Sequence, residues 1–184
     1  MSDPFAFLQG PARWVVFLVL VVATVLYSIA LGNQGEKLKN SVATQKVVSL
    51  ELAWTQDRAA AIIKTWVDDS KLDLAKKQIH WDFGFLMLYP LAFSLACSLL
   101  ARSPKGLGGP IGFVIAWSML AALPLDATEN IFMLRMLNSL GQGVTKLDVL
   151  GASLAAGIKF VVLSAACGYI LVQGLLLLWK RVFP

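Results

Sequence analysis

The chain has little histidine or cysteine: one histidine, His80, and two cysteines, Cys97 and Cys167. A lone histidine excludes a bis-histidine haem within one chain, and no Cys/His group at ligand spacing supports zinc or iron–sulfur binding. No metal and no cofactor is therefore expected. Beside Trp81, His80 reads as a membrane-boundary residue rather than a base. Charge is also scarce, at 15% of residues, with no Arg-rich or aromatic-interleaved run of the kind that binds nucleic acid. Phosphate loops, nucleophile elbows and inverted repeats are absent, and Gly108-Gly109 before Pro110 reads as a turn. The usual sequence routes to a named reaction are closed.

What the chain has is long apolar runs. Hydrophobic residues make up 58% of the 184 and the mean hydropathy is +0.71, too apolar for a water-soluble domain. Uncharged blocks of 18, 19, 19 and 20 residues run from Trp14 to Leu31, Phe83 to Ala101, Leu107 to Leu125 and Phe160 to Trp179. At 1.5 Å rise per residue each block reaches roughly 27–30 Å, the thickness of a bilayer's hydrocarbon core. The expected fold is an all-α, four-helix transmembrane bundle forming a single membrane domain, with spans at about 12–32, 82–101, 108–137 and 150–179. Ser28-Ile29-Ala30 resembles a cleavage site, but the run before it is longer than a signal core and only Arg13 precedes it, so an uncleaved first span is expected.

A segment of about 48 residues between spans one and two, 33–81, is the one sizeable water-facing piece. Val48, Leu50, Leu52 and Trp54 alternate with Ser49, Glu51 and Ala53, a period of two that predicts a short half-buried extended segment. Thr55 then suits a helix cap, and Ala59, Ile62, Ile63 and Trp66 recur at i, i+3, i+4 and i+7, the apolar stripe of an amphipathic helix ended by Asp68-Asp69-Ser70. The stripe is expected to pack on the span ends or lie on the membrane surface, with a groove for a partner helix as the alternative. A second helix from Lys71 is expected to run straight into span two.

Arg13, Arg102, Lys105, Lys180 and Arg181 lie near span ends on the side of the termini, which by the positive-inside bias places both termini in the cytoplasm. Cys97 and Cys167 should lie at depths roughly 7 Å apart, too far for a disulfide, and are expected as two free, buried thiols. The small-residue stripes Gly108/Gly112/Ala116, Thr24/Ser28/Gly32 and Ser164/Gly168 are expected to pack spans of the same chain.

The functional lead is a polar cluster in apolar surroundings. Asp126, Glu129 and Asn130 share one helix face with Met133, and Lys159 interrupts the fourth span. Antiparallel turns centred near residues 105.5 and 144 bring Asp82, Glu129 and Lys159 to one depth, at the hydrocarbon boundary opposite the termini. Tyr89 follows Asp82 on the stripe of span two, and Pro90 and Pro124 can loosen their helices near that level. Arg135 falls on the other side of its helix, for Asp148 or for water. Two readings stand side by side: a Glu129–Lys159 bridge that fixes helix register, and a small ligand-binding or catalytic pocket of Asp82, Tyr89, Asp126, Glu129, Asn130 and Lys159.

Leu50-Glu51-Leu52-Ala53-Trp54-Thr55 with Arg58 and Trp66, Asp82-Phe83-Gly84-Phe85 with Tyr89, and Asp126 with Glu129-Asn130 together resemble a pattern in uncharacterised bacterial membrane proteins of four spans. The resemblance implies the fold and a bacterial cytoplasmic (inner) membrane address, and carries no activity. Three functions fit: an accessory or assembly subunit of a membrane complex, a lipid- or small-amphiphile-binding protein or enzyme in which Lys159 holds an anionic headgroup, and a proton-coupled carrier acting as a dimer. Expected partners are membrane lipid, other membrane subunits or a second copy, and no nucleic acid.

Overall fold

A computed structural model describes residues 1–103, 109–139 and 143–182. Lys105 and Gly108, named above, lie outside the described residues. Among the described residues the regular structure is entirely helical: α1 (Gly10–Gly35), α2 (Val48–Glu51), α3 (Gln56–Asp68), α4 (Leu72–Phe85), α5 (Tyr89–Ala101), α6 (Gly109–Asn138) and α7 (Lys146–Val182). Four helical stretches, Gly10–Leu38, Leu72–Ala101, Gly109–Asn138 and Lys146–Val182, are long and apolar enough to cross a membrane. Helices suit that setting because each satisfies its own backbone groups where no water is available.

Two compact units divide the chain. One comprises Met1–Thr24, Met87–Leu123 and Phe160–Pro184. Within it Ser94 Oγ donates to the Ala116 carbonyl at 2.7 Å, and Gly112 leaves room for Tyr169 and for Ala101, whose Cβ would lie 2.6 Å from any Cβ added there. Gly112 and Ala116 thus pack spans of the same chain. Ser164 and Gly168 do not: both are exposed, and nothing lies within 4 Å of a Cβ built at Gly168. The thiols are free, but only Cys97 is buried; Cys167 sits beside Gly168 on the exposed side of α7. Depth along a span does not fix which way a residue faces, and that is why the expectation of two buried thiols fails.

The other unit comprises Val25–Leu86 and Pro124–Lys159. Its core joins Leu38, Leu50, Ile62, Trp66, Ile79, Met133, Leu137 and Val149. Thr55 caps α3, its hydroxyl accepting from the Arg58 N–H at 3.3 Å. The stripe Ala59, Ile62, Ile63 and Trp66 is buried against the ends of α4, α6 and α7, and the Trp66 indole donates to the Leu38 carbonyl at 2.9 Å. Beside the stripe, Ala60, Ile63 and Val67 of α3 line an open groove with Met136 and Val144.

The extended segment expected over Val48–Trp54 is instead the single helical turn α2. Ser49, Leu50 and Glu51 are buried in succession while Trp54 is exposed, so the burial does not follow the period of two. A strand here would have no neighbour for its backbone groups. The helical turn satisfies them locally, with Leu50 N–H on the Val47 carbonyl at 2.8 Å, and the left-handed backbone of Lys46 and Trp54 turns the chain on either side. Span two is interrupted at Leu86–Leu88, because Pro90 near the start of α5 lacks the N–H that would bond the Leu86 carbonyl. Pro124, by contrast, leaves α6 unbroken and opens no gap in it.

Candidate ion cluster

The shared face of α6 carries Asp126, Glu129 and Asn130 into the unit formed by Val25–Leu86 and Pro124–Lys159, where all three are buried. Lys159 of α7 meets them. Its Nζ donates to Asp126 Oδ1 at 2.9 Å and to Glu129 Oε1 at 3.0 Å, and lies 2.7 Å from Glu129 Oε2. On the same α6 face Asn130 Nδ2 donates to Asp82 Oδ2 of α4 at 2.8 Å. Antiparallel register thus brings five of the six singled-out residues together. Tyr89, at the start of α5, is buried.

Reading the sequence missed one member. Glu51 of α2 is buried and its Oε2 stands 3.8 Å from Lys159 Nζ. In an extended segment it would have pointed to water with Ser49; only the helical turn aims it inward. Its place inside Leu50-Glu51-Leu52-Ala53-Trp54-Thr55, a polar residue among large apolar ones, was the one available signal.

Three carboxyl groups therefore surround one ammonium, and a fourth, that of Asp82, is held by Asn130. Burial pushes the Glu51 carboxyl above its ordinary value of 4.5, opposed by the Lys159 charge and a hydrogen bond with Glu129, and reinforced by the Asp126 charge. The folded chain then holds the Glu51 proton at pH values where the unfolded chain has released it. Stability from this group is complete below 4.5 and declines as pH rises towards the folded-state value. Glu51→Gln, a neutral carboxyl mimic, is expected to flatten that decline. The check is thermal unfolding of both proteins in mild detergent across this range, and parallel curves would contradict the assignment.

Beside the cluster, a cavity of about 180 Å³ is lined by Glu51, Gln78, Asp82, Gln45, Lys46 and Ser28 among others. Gln78 Nε2 donates to the Leu31 carbonyl at 3.0 Å, and its buried Oε1 has no partner within the protein. The carboxyl and amide oxygens here attract cations and hydrogen-bond donors. No group of three or more His, Cys, Asp or Glu side chains among the described residues is arranged to hold a metal ion.

No family model, curated protein or solved structure matches the chain. The site must be read from its own chemistry.

Elsewhere in this unit Arg135 pairs with Asp148 at 3.0 Å and lies over the Phe132 ring. That uses up the one further charge on α6 outside the cluster. His80 is exposed, its Nδ1 2.7 Å from the Lys76 carbonyl one turn earlier.

Proposed function

We propose that this chain is an accessory or assembly subunit of a membrane complex, set in the bacterial cytoplasmic membrane with both termini in the cytoplasm. On this reading it shares its architecture with the four-span proteins whose pattern it resembles, and residues 33–81 face water. The observation that carries it is the closure of the ion cluster. The Lys159 ammonium is engaged by Asp126, Glu129 and Glu51, and Asp82 by Asn130, so the charged groups fasten α2, α4, α6 and α7 to one another. Such a network sets helix register. An anionic headgroup would meet three carboxyl groups at Lys159, which disfavours a lipid-binding role for that residue.

Surface supports the same reading. Only 6% of the most apolar window of the first span is buried, against 44% in the second. Trp14, Leu18, Val19, Val22, Leu26 and Ile29 leave α1 as apolar surface for a neighbouring subunit or lipid. Purified in mild detergent and run on a native gel, the protein is expected to migrate with other polypeptides in fixed ratio. Recovery as a lone 20.0 kDa chain carrying extractable small molecules would overturn the proposal.

The cavity beside Glu51 and Asp82 favours one second reading, a binding protein whose ligand is a small cationic amphiphile. Mass spectrometry of what leaves the membrane with the protein separates the two.

A further inference from the structure

A second ionic site lies in the other unit, far simpler in composition and opposite in sign. Residues 2–8 form a turn, with Ala6 N–H on the Asp3 carbonyl and Leu8 N–H on the Phe5 carbonyl, that presses the Asp3 side chain between two arginines. Asp3 Oδ1 accepts from Ser98 Oγ at 2.6 Å and from the Phe5 N–H at 2.7 Å. Asp3 Oδ2 accepts from Arg102 Nε at 2.5 Å, pairs with Arg102 Nη2, and lies 3.3 Å from Arg13 Nη2. Arg13 Nη2 also donates to the Phe5 carbonyl, and Trp117 Nε1 to the Ser2 carbonyl at 2.9 Å. Against the upward push of burial, these hydrogen bonds and the Arg102 charge hold the Asp3 carboxyl below its ordinary value.

One carboxylate does not exhaust this seat. Two guanidinium groups face it, leaving a net positive charge, and Arg13 is 4% exposed with its Nε and Nη1 buried and without a partner in the protein. Buried donors of this kind call for an acceptor. A phosphate group supplies more acceptor oxygens than a carboxylate, in a geometry that guanidinium forks match. Position adds to the chemistry. Arg13 immediately precedes the apolar run that begins at Trp14, and Arg102 immediately follows the one that ends at Ala101. Both sit where a span meets the headgroups, the depth at which lipid phosphates lie and at which basic pockets between spans bind acidic headgroups.

We propose that Arg13, Arg102 and Ser98 form a phosphate seat for an acidic phospholipid headgroup, and that Asp3 of the amino-terminal turn fills it in cis until a phosphate displaces it. Arg102, the most exposed of the three, meets the incoming phosphate first. Arg13 stays beneath and gains the acceptors it lacks. Displacement releases the amino-terminal segment 1–8, which carries the exposed apolar side chains of Met1 and Phe7.

The test uses the full chain in three settings: phosphatidylcholine vesicles, the same vesicles with phosphatidylglycerol added, and phosphatidylcholine vesicles with inorganic phosphate. Amide hydrogen exchange at Phe5, Ala6 and Leu8 is the readout, expected to quicken about threefold or more when a phosphate of net negative charge is supplied, phosphatidylcholine's own phosphate being balanced by its choline cation. Quickening by phosphatidylglycerol alone assigns the seat to a lipid headgroup; quickening by inorganic phosphate as well shows that the phosphate group suffices. Both results support the seat. Unchanged exchange in all three settings overturns it, as does quickening that extends equally to the segment 39–47. Arg102→Gln is expected to exchange fast everywhere, with no response to phosphatidylglycerol. A response that survives this substitution would also overturn the proposal.

Discussion

Replacing Lys159 with methionine is expected to destabilise the protein by about 3–5 kcal/mol, the range for removing one partner from a buried ionic network. The ammonium lies within 2.7–3.8 Å of carboxyl oxygens on Glu51, Asp126 and Glu129. Methionine keeps all but the last atom of the side chain's length, so the loss is mainly electrostatic rather than a cavity. The three carboxyl groups are then left facing one another with no cation among them. Glu129→Gln alone is expected to be milder, about 1–2 kcal/mol, because Asp126 still holds Lys159 and the amide oxygen still accepts from it. A simple Glu129–Lys159 bridge predicts that the double change Glu129→Gln with Lys159→Met recovers most of the loss. The observed network predicts partial recovery, since Asp126 and Glu51 have also lost the Lys159 ammonium, and fuller recovery only when Asp126→Asn is added. Unfolding of the single, double and triple variants in mild detergent decides the matter. A Lys159→Met protein as stable as wild type would remove the cluster from any structural role.

Trp66→Ala is expected to cost a similar amount, about 3–5 kcal/mol, through a different mechanism. Trp66 is fully buried and is the largest such side chain in the core joining α3 to Ile79, Met133 and Leu137. Its indole N–H also holds the Leu38 carbonyl, at the end of the helical stretch that begins at Gly10. Alanine leaves a cavity and an unsatisfied carbonyl together. Trp66→Phe separates the two effects, keeping most of the packing and losing about 1 kcal/mol for the hydrogen bond. Limited proteolysis should cut the alanine variant first within α3, before any cut in the long helices. Equal resistance of Trp66→Ala and wild type would show that α3 is held by something other than this stripe.

These two sites differ in how much of them the chain announces. The Trp66 stripe is legible because four apolar residues at helical spacing, behind a threonine cap, describe a local object. The α6 face of Asp126, Glu129 and Asn130 is legible for the same reason, and the depth of Lys159 follows once two helices are taken as antiparallel. Glu51 is a different case. Its alternation with Leu50 and Leu52 reads as a strand, and the residue enters the cluster only because the backbone closes into a helical turn between two left-handed residues, Lys46 and Trp54. Asp3 gave no signal at all, since an acid near an amino end is ordinary and its partners lie at the far ends of α1's first turn and of α5.

Composition and hydropathy by themselves determined that the chain is helical with four stretches able to cross a bilayer, because backbone satisfaction in hydrocarbon allows little else. Helical spacing by itself determined which polar residues share a face. Tertiary structure alone decided that Lys159 has three acidic neighbours rather than one, that Cys167 and Gly168 look outward, and that Asp3 lies between two arginines. Each of those depends on how one element is rotated against another or on the path of an irregular segment, and these follow from the sum of many weak packing contacts rather than from any local pattern.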